Sequence, residues 1–380
     1  MEIIDSLIEN PLWLVPVLFV LAFLVQMIYY LGIYISVLFY REKEEEPESW
    51  PPVSVIICAR DEQTNLEQNL PPILEQNYPD FEVIVVNHGS SDDTDMVLQR
   101  LQQQYPHLKS TEIKQDQKFT HGKKLAVTVG IKKASHEWLL FTDADCHPVS
   151  KNWIRSMARN FDEQTSLVLG YGGYAPRGGL LNNMIRFDTL SIALQYFSYA
   201  LRGFPYMGVG RNLAYRKSLF FRNKGFAGHY HLESGDDDLF VDQTARKTNT
   251  RVQISRESQM VSRPHTSFGG WFRQKRRHLT TGVHYRGKTK CRLMSELISR
   301  LVFYAGFILN LVWFTEYYPY IIGIFVVRWT ALLIDYKGIM NKLGEKNLLL
   351  PLLFYDIFLP FINFMGIISN KISTNNHQWT

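Results

Sequence analysis

The stretch Trp138-Leu-Leu-Phe-Thr-Asp-Ala-Asp145 passes from a β-prone apolar run straight into two carboxylates flanking one small residue. A short apolar run bounded by polar residues reads as a strand covered on both faces, which is the habit of parallel sheets. In such sheets ligands sit beyond the carboxyl ends of the strands. Two carboxylates there can reach one hard cation, because Mg²⁺ is commonly held by one or two carboxylates plus substrate phosphates. The same pair can also be an exposed acidic turn, or a cap for a following helix. The neighbouring strand ends bear on that choice.

Working outward, Val53-Ser-Val-Ile-Ile-Cys58 is a second run of this kind and ends in Ala59-Arg-Asp-Glu62. Phe81-Glu-Val-Ile-Val-Val86 is a third and ends in Asn87-His-Gly-Ser-Ser-Asp-Asp-Thr94. Helical patterns are expected over 65–76, interrupted by Pro71 and Pro72, and over 94–105 and 123–134. Strands alternating with helices predict an α/β fold with a parallel sheet covered on both faces. All three strand ends are small, polar and acidic, so they can meet over one ligand. Lys123 and Lys124 follow Gly122 at a helix start, where a lysine can reach phosphate; a solvated pair is the plainer alternative.

Downstream, Gly208-Val-Gly-Arg-Asn-Leu-Ala214 reads as a tight loop beside a ligand and lacks the dinucleotide-binding spacing. Ser234-Gly-Asp-Asp-Asp-Leu239 sets three carboxylates side by side. They repel unless something cationic compensates, so one can acquire a raised pKa suited to taking a proton from a substrate hydroxyl. An acid-rich helix N-terminus accounts for other members of the trio. In Trp271-Phe-Arg-Gln-Lys-Arg-Arg-His278, helical spacing puts Gln274, Arg277 and His278 on one face. The remaining Lys and Arg are expected to face lipid headgroups, as on an interfacial helix. His265 is a further candidate contact for metal or phosphate.

Hydrophobicity gathers at the chain ends. Residues 11–40 carry no charge, and about 20 apolar residues cross a bilayer. The preceding Glu2, Asp5 and Glu9 are the wrong sign for a cleaved signal peptide. Three further apolar stretches lie near 297–315, 318–334 and 348–369, with Arg300, Arg328 and Asp356 in or beside them. A charge at that depth faces a bundle interior, so Arg328 is expected to pair with Asp356. Arg286, Lys288, Lys290 and Arg292 precede the second stretch, and Lys337, Lys342 and Lys346 follow the third. Basic loops stay cytosolic, which predicts a cytosolic middle region. The expected organisation is an anchor over 1–46, a catalytic domain over 47–293 and a membrane region over 294–380. A formal net charge of +5 gives no reason to expect nucleic acid, and three cysteines without metal-like spacing suggest reduced thiols.

As an ordered set over residues 51–282, these motifs resemble glycosyltransferase family 2, the inverting enzymes with a GT-A fold. The resemblance implies an α/β fold with a central, mostly parallel sheet, and transmembrane helices as in the family's membrane-bound members. It implies Ala59 and Glu62 at the nucleoside, and Asn87 where the family usually has an aspartate on the base. Lys123 would approach the nucleotide, Asp143 the ribose and donor sugar, and Asp145 would bind Mg²⁺ or Mn²⁺. Asp236 or Asp237 would be the catalytic base, with Asp237 favoured. Gln274, Arg277 and His278 match a motif for diphosphate and acceptor, with His278 in place of the family's Trp. The implied reaction moves a sugar from a nucleotide-diphosphate donor, a UDP-sugar, to a membrane lipid or lipid-linked acceptor. The implied setting is a bacterial inner membrane. A processive polysaccharide synthase and a catalytically inactive scaffold are the alternatives.

Overall fold

A computed structural model describes residues 11–43, 45–114 and 122–372. Glu2, Asp5 and Glu9 lie outside the described residues. Among the described residues ten strands form two sheets: β1 Val53–Ala59, β2 Phe81–Asn87, β3 Leu108–Glu112, β4 Trp138–Asp143, β5 Cys146–Pro148, β6 Leu167–Leu169, β7 Gly172–Tyr174, β8 Leu213–Arg216, β9 Thr250–Val252 and β10 Met260–Ser262. The larger sheet has the order β3-β2-β1-β4-β8-β6-β9, and β5-β10-β7 form the smaller. In the larger sheet, β8 runs antiparallel to its neighbours β4 and β6, and the other pairs are parallel. The mostly parallel central sheet expected from the apolar runs is therefore present.

Every residue of β1 is buried. The period of two sends Ile56 and Cys58 into one core and Val53, Val55, Ile57 and Ala59 into another. Two covered faces are what an apolar strand without alternation requires. Register then sets the site: Ala59 lies opposite Asn87, and Cys58 opposite Asp143. The three acidic strand ends therefore finish level, side by side.

The principal helices are α1 Pro11–Phe39, α2 Gln63–Leu74, α3 Thr94–Gln104, α4 Lys123–Lys133, α5 Leu180–Leu201, α6 Asp238–Thr244, α7 Phe268–Leu279, α8 Gly287–Trp313, α9 Tyr318–Leu343 and α10 Leu349–Ile372. Two expectations change. Pro71 and Pro72 do not interrupt α2, which runs through both. They fall in its last turn, and the carbonyls they leave without helical donors belong to the exposed Glu67 and Gln68, which water can reach. Strand β3 was not anticipated. Its sequence, Leu-Lys-Ser-Thr-Glu, has one apolar residue because it is the sheet edge, partly open to solvent.

Among the described residues four helices, α1 and α8 to α10, are long and apolar enough to cross a membrane. Helix α8 begins ten residues before the apolar stretch expected from 297, because hydropathy marks only the apolar part of a helix that continues through a basic turn. Arg328 and Asp356 do pair, at 2.6 Å, and both side chains are fully buried.

Candidate active site

The first two strand ends are knitted into one platform. His88 N donates to Ala59 O (2.8 Å), Ser91 N to Asp61 Oδ1 (2.7 Å), and Gln63 N to Asp92 Oδ2 (3.0 Å). Asn87 Oδ1 accepts from both the backbone N and the hydroxyl of Ser90 (3.2 and 2.6 Å), which leaves its amide NH₂ as the group to offer a ligand. Burial pushes the Glu62 carboxyl up, and the charges of Asp145 and Asp143 add to the shift. Glu62 thus belongs electrostatically with the β4 carboxylates.

Lys123 ties the two acidic motifs together. Its Nζ lies 2.6 Å from Asp143 Oδ1 and 3.7 Å from Asp236 Oδ2. Burial alone would lower the ammonium, but Asp143 and Asp236 hold it well above its ordinary value. Burial likewise opposes ionisation of Asp143, and Lys123 reverses the balance to keep it a carboxylate. Asp145 is left for another cation. Ser262 Oγ donates to its Oδ2 (2.5 Å), and the Cys146 thiol to its Oδ1 (3.3 Å). Ligand atoms of Asp143, Asp145 and Cys146 lie within 4.8 Å of one another. Burial holds the Cys146 thiol well above its usual range, so the ionised donors are carboxylate oxygens, which suit Mg²⁺ or Mn²⁺.

The adjacent lysine does something different. Lys124 is buried, and its Nζ donates to three backbone carbonyls, His229 O (2.7 Å), Leu232 O (2.6 Å) and Ser234 O (2.7 Å). It pins the loop that presents the Asp trio. Lys124→Met leaves these carbonyls without their donor, so we expect a loss of at least ~2 kcal/mol in unfolding free energy. Thermal denaturation checks this, and an unchanged midpoint would refute the clamp.

The trio divides its work. Asp238 turns inward and accepts from Thr281 Oγ1, from Tyr285 Oη (2.7 Å) and from Leu239 N (2.7 Å). Asp236 faces Lys123. Asp237 caps α6, accepting from Asp238 N (2.8 Å) and from Gly210 N (2.7 Å). Burial, then repulsion from Asp236 and Asp238, pushes Asp237 up to about 7. The Gly-rich loop is thereby explained: a Cβ on Gly210 would stand 3.3 Å from Asp237 Oδ2, tighter than most side chains tolerate.

These groups open into a cleft of about 290 Å³. Lys123, Asp143, Asp145, Asp236, Asp237, Gln274, Arg277 and His278 all line it. Ala59, Glu62 and Asn87 are not in that lining and stay on the platform beside it. His265 is exposed and also outside the lining. On α7, Gln274 Oε1 accepts from Tyr174 Oη (3.2 Å). Burial and the neighbouring Arg277 and Arg211 push His278 down to about 3, so it is a neutral imidazole. Lys275 corrects an expectation. Instead of facing lipid it is buried, with both Asp188 carboxylate oxygens 2.7 Å from its Nζ, because that face of α7 packs on α5.

Arg211 was not singled out in the sequence. Its guanidinium lies 4.4 Å over the Tyr174 ring, and its Nη1 is buried in the cleft wall without a hydrogen-bond partner among the described residues. The one available signal was a cation inside the Gly-rich segment. The same lining also holds aromatic and apolar side chains, Tyr196, Tyr206, Tyr285, Ile192 and Met207, and includes Leu293 near the start of α8.

The model of glycosyl transferase family 21 matches residues 17–379. The poly-beta-1,6-N-acetyl-D-glucosamine synthase of Staphylococcus epidermidis is 29% identical over 143 residues, 36% of this chain and 32% of that protein. Glycosyltransferase AglE of Haloferax volcanii is 33% identical over 106 residues, 27% of this chain and 33% of that protein. These matches span about a third of the length of either relative. The mannosyltransferase PcManGT of Pyrobaculum calidifontis, solved in complex with GDP-Man and Mn²⁺, has a TM-score of 0.62 at 17% identity, covering 96% of this chain and 99% of that one. At such identity the likeness is one of fold, and the fold is GT-A. The glycosyltransferase character read from the motifs holds, while the matching family model is number 21 where the motifs resembled family 2.

Proposed function

We propose that this chain, which belongs to glycosyl transferase family 21, moves a sugar from a nucleotide-diphosphate donor to a hydroxyl of a membrane lipid or lipid-linked acceptor, with inversion. The observation that carries this reading is the continuity of the cleft. One lining holds both the carboxylates and cations and a set of aromatic and apolar side chains, among them Leu293 near the start of an apolar helix. Amphipathic acceptors match such a lining, while free sugars in water do not require one. The GT-A fold supports a nucleotide-sugar at the first two strand ends.

Asp237 is the base. It accepts the proton of the acceptor hydroxyl as that oxygen bonds to the anomeric carbon and the bond to the nucleotide diphosphate breaks. A base with a pKa near neutrality combines correct ionisation with basicity. Arg277 and the unpartnered Nη1 of Arg211 hold the departing diphosphate, and the neutral His278 offers a hydrogen bond without adding charge. Asp143 is already neutralised by Lys123, so Asp145 is the residue to hold Mg²⁺ or Mn²⁺. Such a cation, when bound, neutralises charge on diphosphate oxygens. Asn87 presents an amide to the base, which uracil can pair with, so a UDP-sugar is the first donor to test.

Purified protein should release nucleotide from one member of a panel of UDP- and GDP-sugars, and chelation should stop the release. Asp145→Ala should lower it by roughly 10²-fold or more, since a metal supplies several kcal/mol of charge stabilisation. Unchanged turnover in Asp145→Ala and Asp237→Ala together would leave an inactive scaffold. A ladder of products in place of single additions would point to a processive synthase, the activity named for the staphylococcal relative. Placement of the catalytic region in the cytosol is tested by cysteine labelling of intact and opened cells.

A further inference from the structure

One wall of the cleft contains none of the motifs. Gln195 and Tyr206 line it, from α5 and the loop that follows. Tyr206 Oη donates to Gln195 Oε1 (2.6 Å), and Gln195 Nε2 donates to Glu296 Oε2 (2.8 Å). Glu296 is buried on α8, about one turn beyond Leu293. Its other oxygen accepts from Arg300 Nη2 (2.9 Å). Arg300 Nη1 lies 3.3 Å from Asp356 Oδ1 on α10, and Asp356 Oδ2 lies 2.6 Å from Arg328 Nη2 on α9. Arg328 Nε donates to Gln26 on α1 (2.8 Å). An unbroken line of hydrogen bonds and ion pairs therefore joins all four apolar helices to the cleft wall.

The line continues toward the chemistry. The Tyr206 ring meets Tyr285 edge-on, with centroids 5.8 Å apart, and Tyr285 Oη donates to Asp238, the neighbour of Asp237. Glu296 also sets polarity. A carboxylate only accepts, so it obliges Gln195 to present its NH₂ that way and its carbonyl to Tyr206. Without Glu296 the amide is free to turn over, and the Tyr206 hydroxyl loses its fixed role as donor. Buried polar chains hold their members in place where these are satisfied, as Gln195, Tyr206 and Glu296 are here.

We propose that Glu296 is a positioning residue for acceptor binding: anchored in the apolar helix bundle, it orients Gln195 and, through it, the Tyr206 hydroxyl on the acceptor side of the cleft. This rests on the reading that the acceptor occupies that end. The apolar helices then help to shape the site as well as to hold the protein at a bilayer.

The test uses the full chain in detergent, with Glu296→Ala, Glu296→Gln and Gln195→Leu. In hydrogen exchange without any ligand, amides of residues 203–210 should exchange about tenfold faster in Glu296→Ala, the effect of losing one hydrogen bond to a charged group. Amides of β1 and β2 should keep their rates. Glu296→Gln leaves one acceptor for the two donors Gln195 and Arg300, so its protection should lie no higher than the wild type and no lower than Glu296→Ala. Gln195→Leu combined with Glu296→Ala should do no more than the larger single change, as expected for two links of one chain. In turnover, nucleotide release to water should stay within about twofold in Glu296→Ala, while transfer to dioleoylglycerol in phosphatidylcholine vesicles should fall about tenfold. Unchanged exchange at 203–210 or an equal rise throughout the sheet would each overturn the proposal. A wild-type protein that releases no nucleotide from any donor refutes the transferase reading instead, and the exchange result still decides the role of Glu296.

Discussion

Asp237→Asn should lower sugar transfer by roughly 10²–10⁴-fold, the usual contribution of a positioned general base, with nucleotide binding retained. Asn removes the base and keeps one acceptor: its oxygen can still accept from Asp238 N at the cap of α6, while Gly210 N, which meets the other carboxylate oxygen, loses its partner. Asp236→Asn should cost less, since Lys123 keeps its 2.6 Å partner Asp143. The same geometry predicts a pH profile. With Asp237 pushed up to about 7 by burial and by its acidic neighbours, the wild-type rate should rise as pH increases through about 7 and then level. Stability runs the other way. A carboxyl whose folded pKa is raised binds more protons folded than unfolded, so its contribution declines as pH rises from the ordinary carboxyl range to about 7. The wild-type melting temperature should therefore fall as pH rises toward about 7, and the Asn variant, which cannot ionise, should lose that part of the slope while transferring poorly throughout. Initial rates and thermal melts at several pH values check both. Equal activity of the Asn variant at pH 8 would remove Asp237 from the mechanism.

Asp356→Ala should destabilise the protein by about 3–5 kcal/mol, because it strands the fully buried guanidinium of Arg328 and removes the second partner of Arg300. Breaking one member of a buried pair costs more than the pair contributes. Arg328→Met with Asp356→Leu, which removes both charges and keeps apolar volume, should recover most of the loss. Melting of the purified protein in one detergent measures all of these variants. A double variant no better than Asp356→Ala would mean that the polar network itself, with Gln26 and Tyr304, holds the helices.

What the amino-acid order determined by itself was everything carried by near neighbours. Apolar runs at 53–58, 81–86 and 138–142 are strands because such residues, buried on both faces, leave the backbone no partner but another strand. Residues 11–40 are helical and apolar for an equally local reason. The acidic strand ends were legible as candidates because carboxylates just past buried strands are costly unless used. Even the Arg328–Asp356 pair followed from the cost of lone charges in apolar helices. The edge strand β3 escaped because solvent exposure erases the pattern that marks a strand.

Tertiary structure decided which candidates share a partner. The residue patterns around Lys123 and Lys124 are nearly alike, yet one cation meets Asp143 and Asp236 and the other meets three carbonyls more than a hundred residues away. The turn of α4 points them to different neighbours. Helical spacing placed Gln274, Arg277 and His278 on one face of α7, but it could not tell that Lys275 beside them would find Asp188 instead of lipid. The roles of Asp236, Asp237 and Asp238 divide only because Gly210, Lys123 and Tyr285 approach them from three distant segments. Local pattern reports what a residue must avoid, whereas its partners are set by packing between segments far apart in the chain.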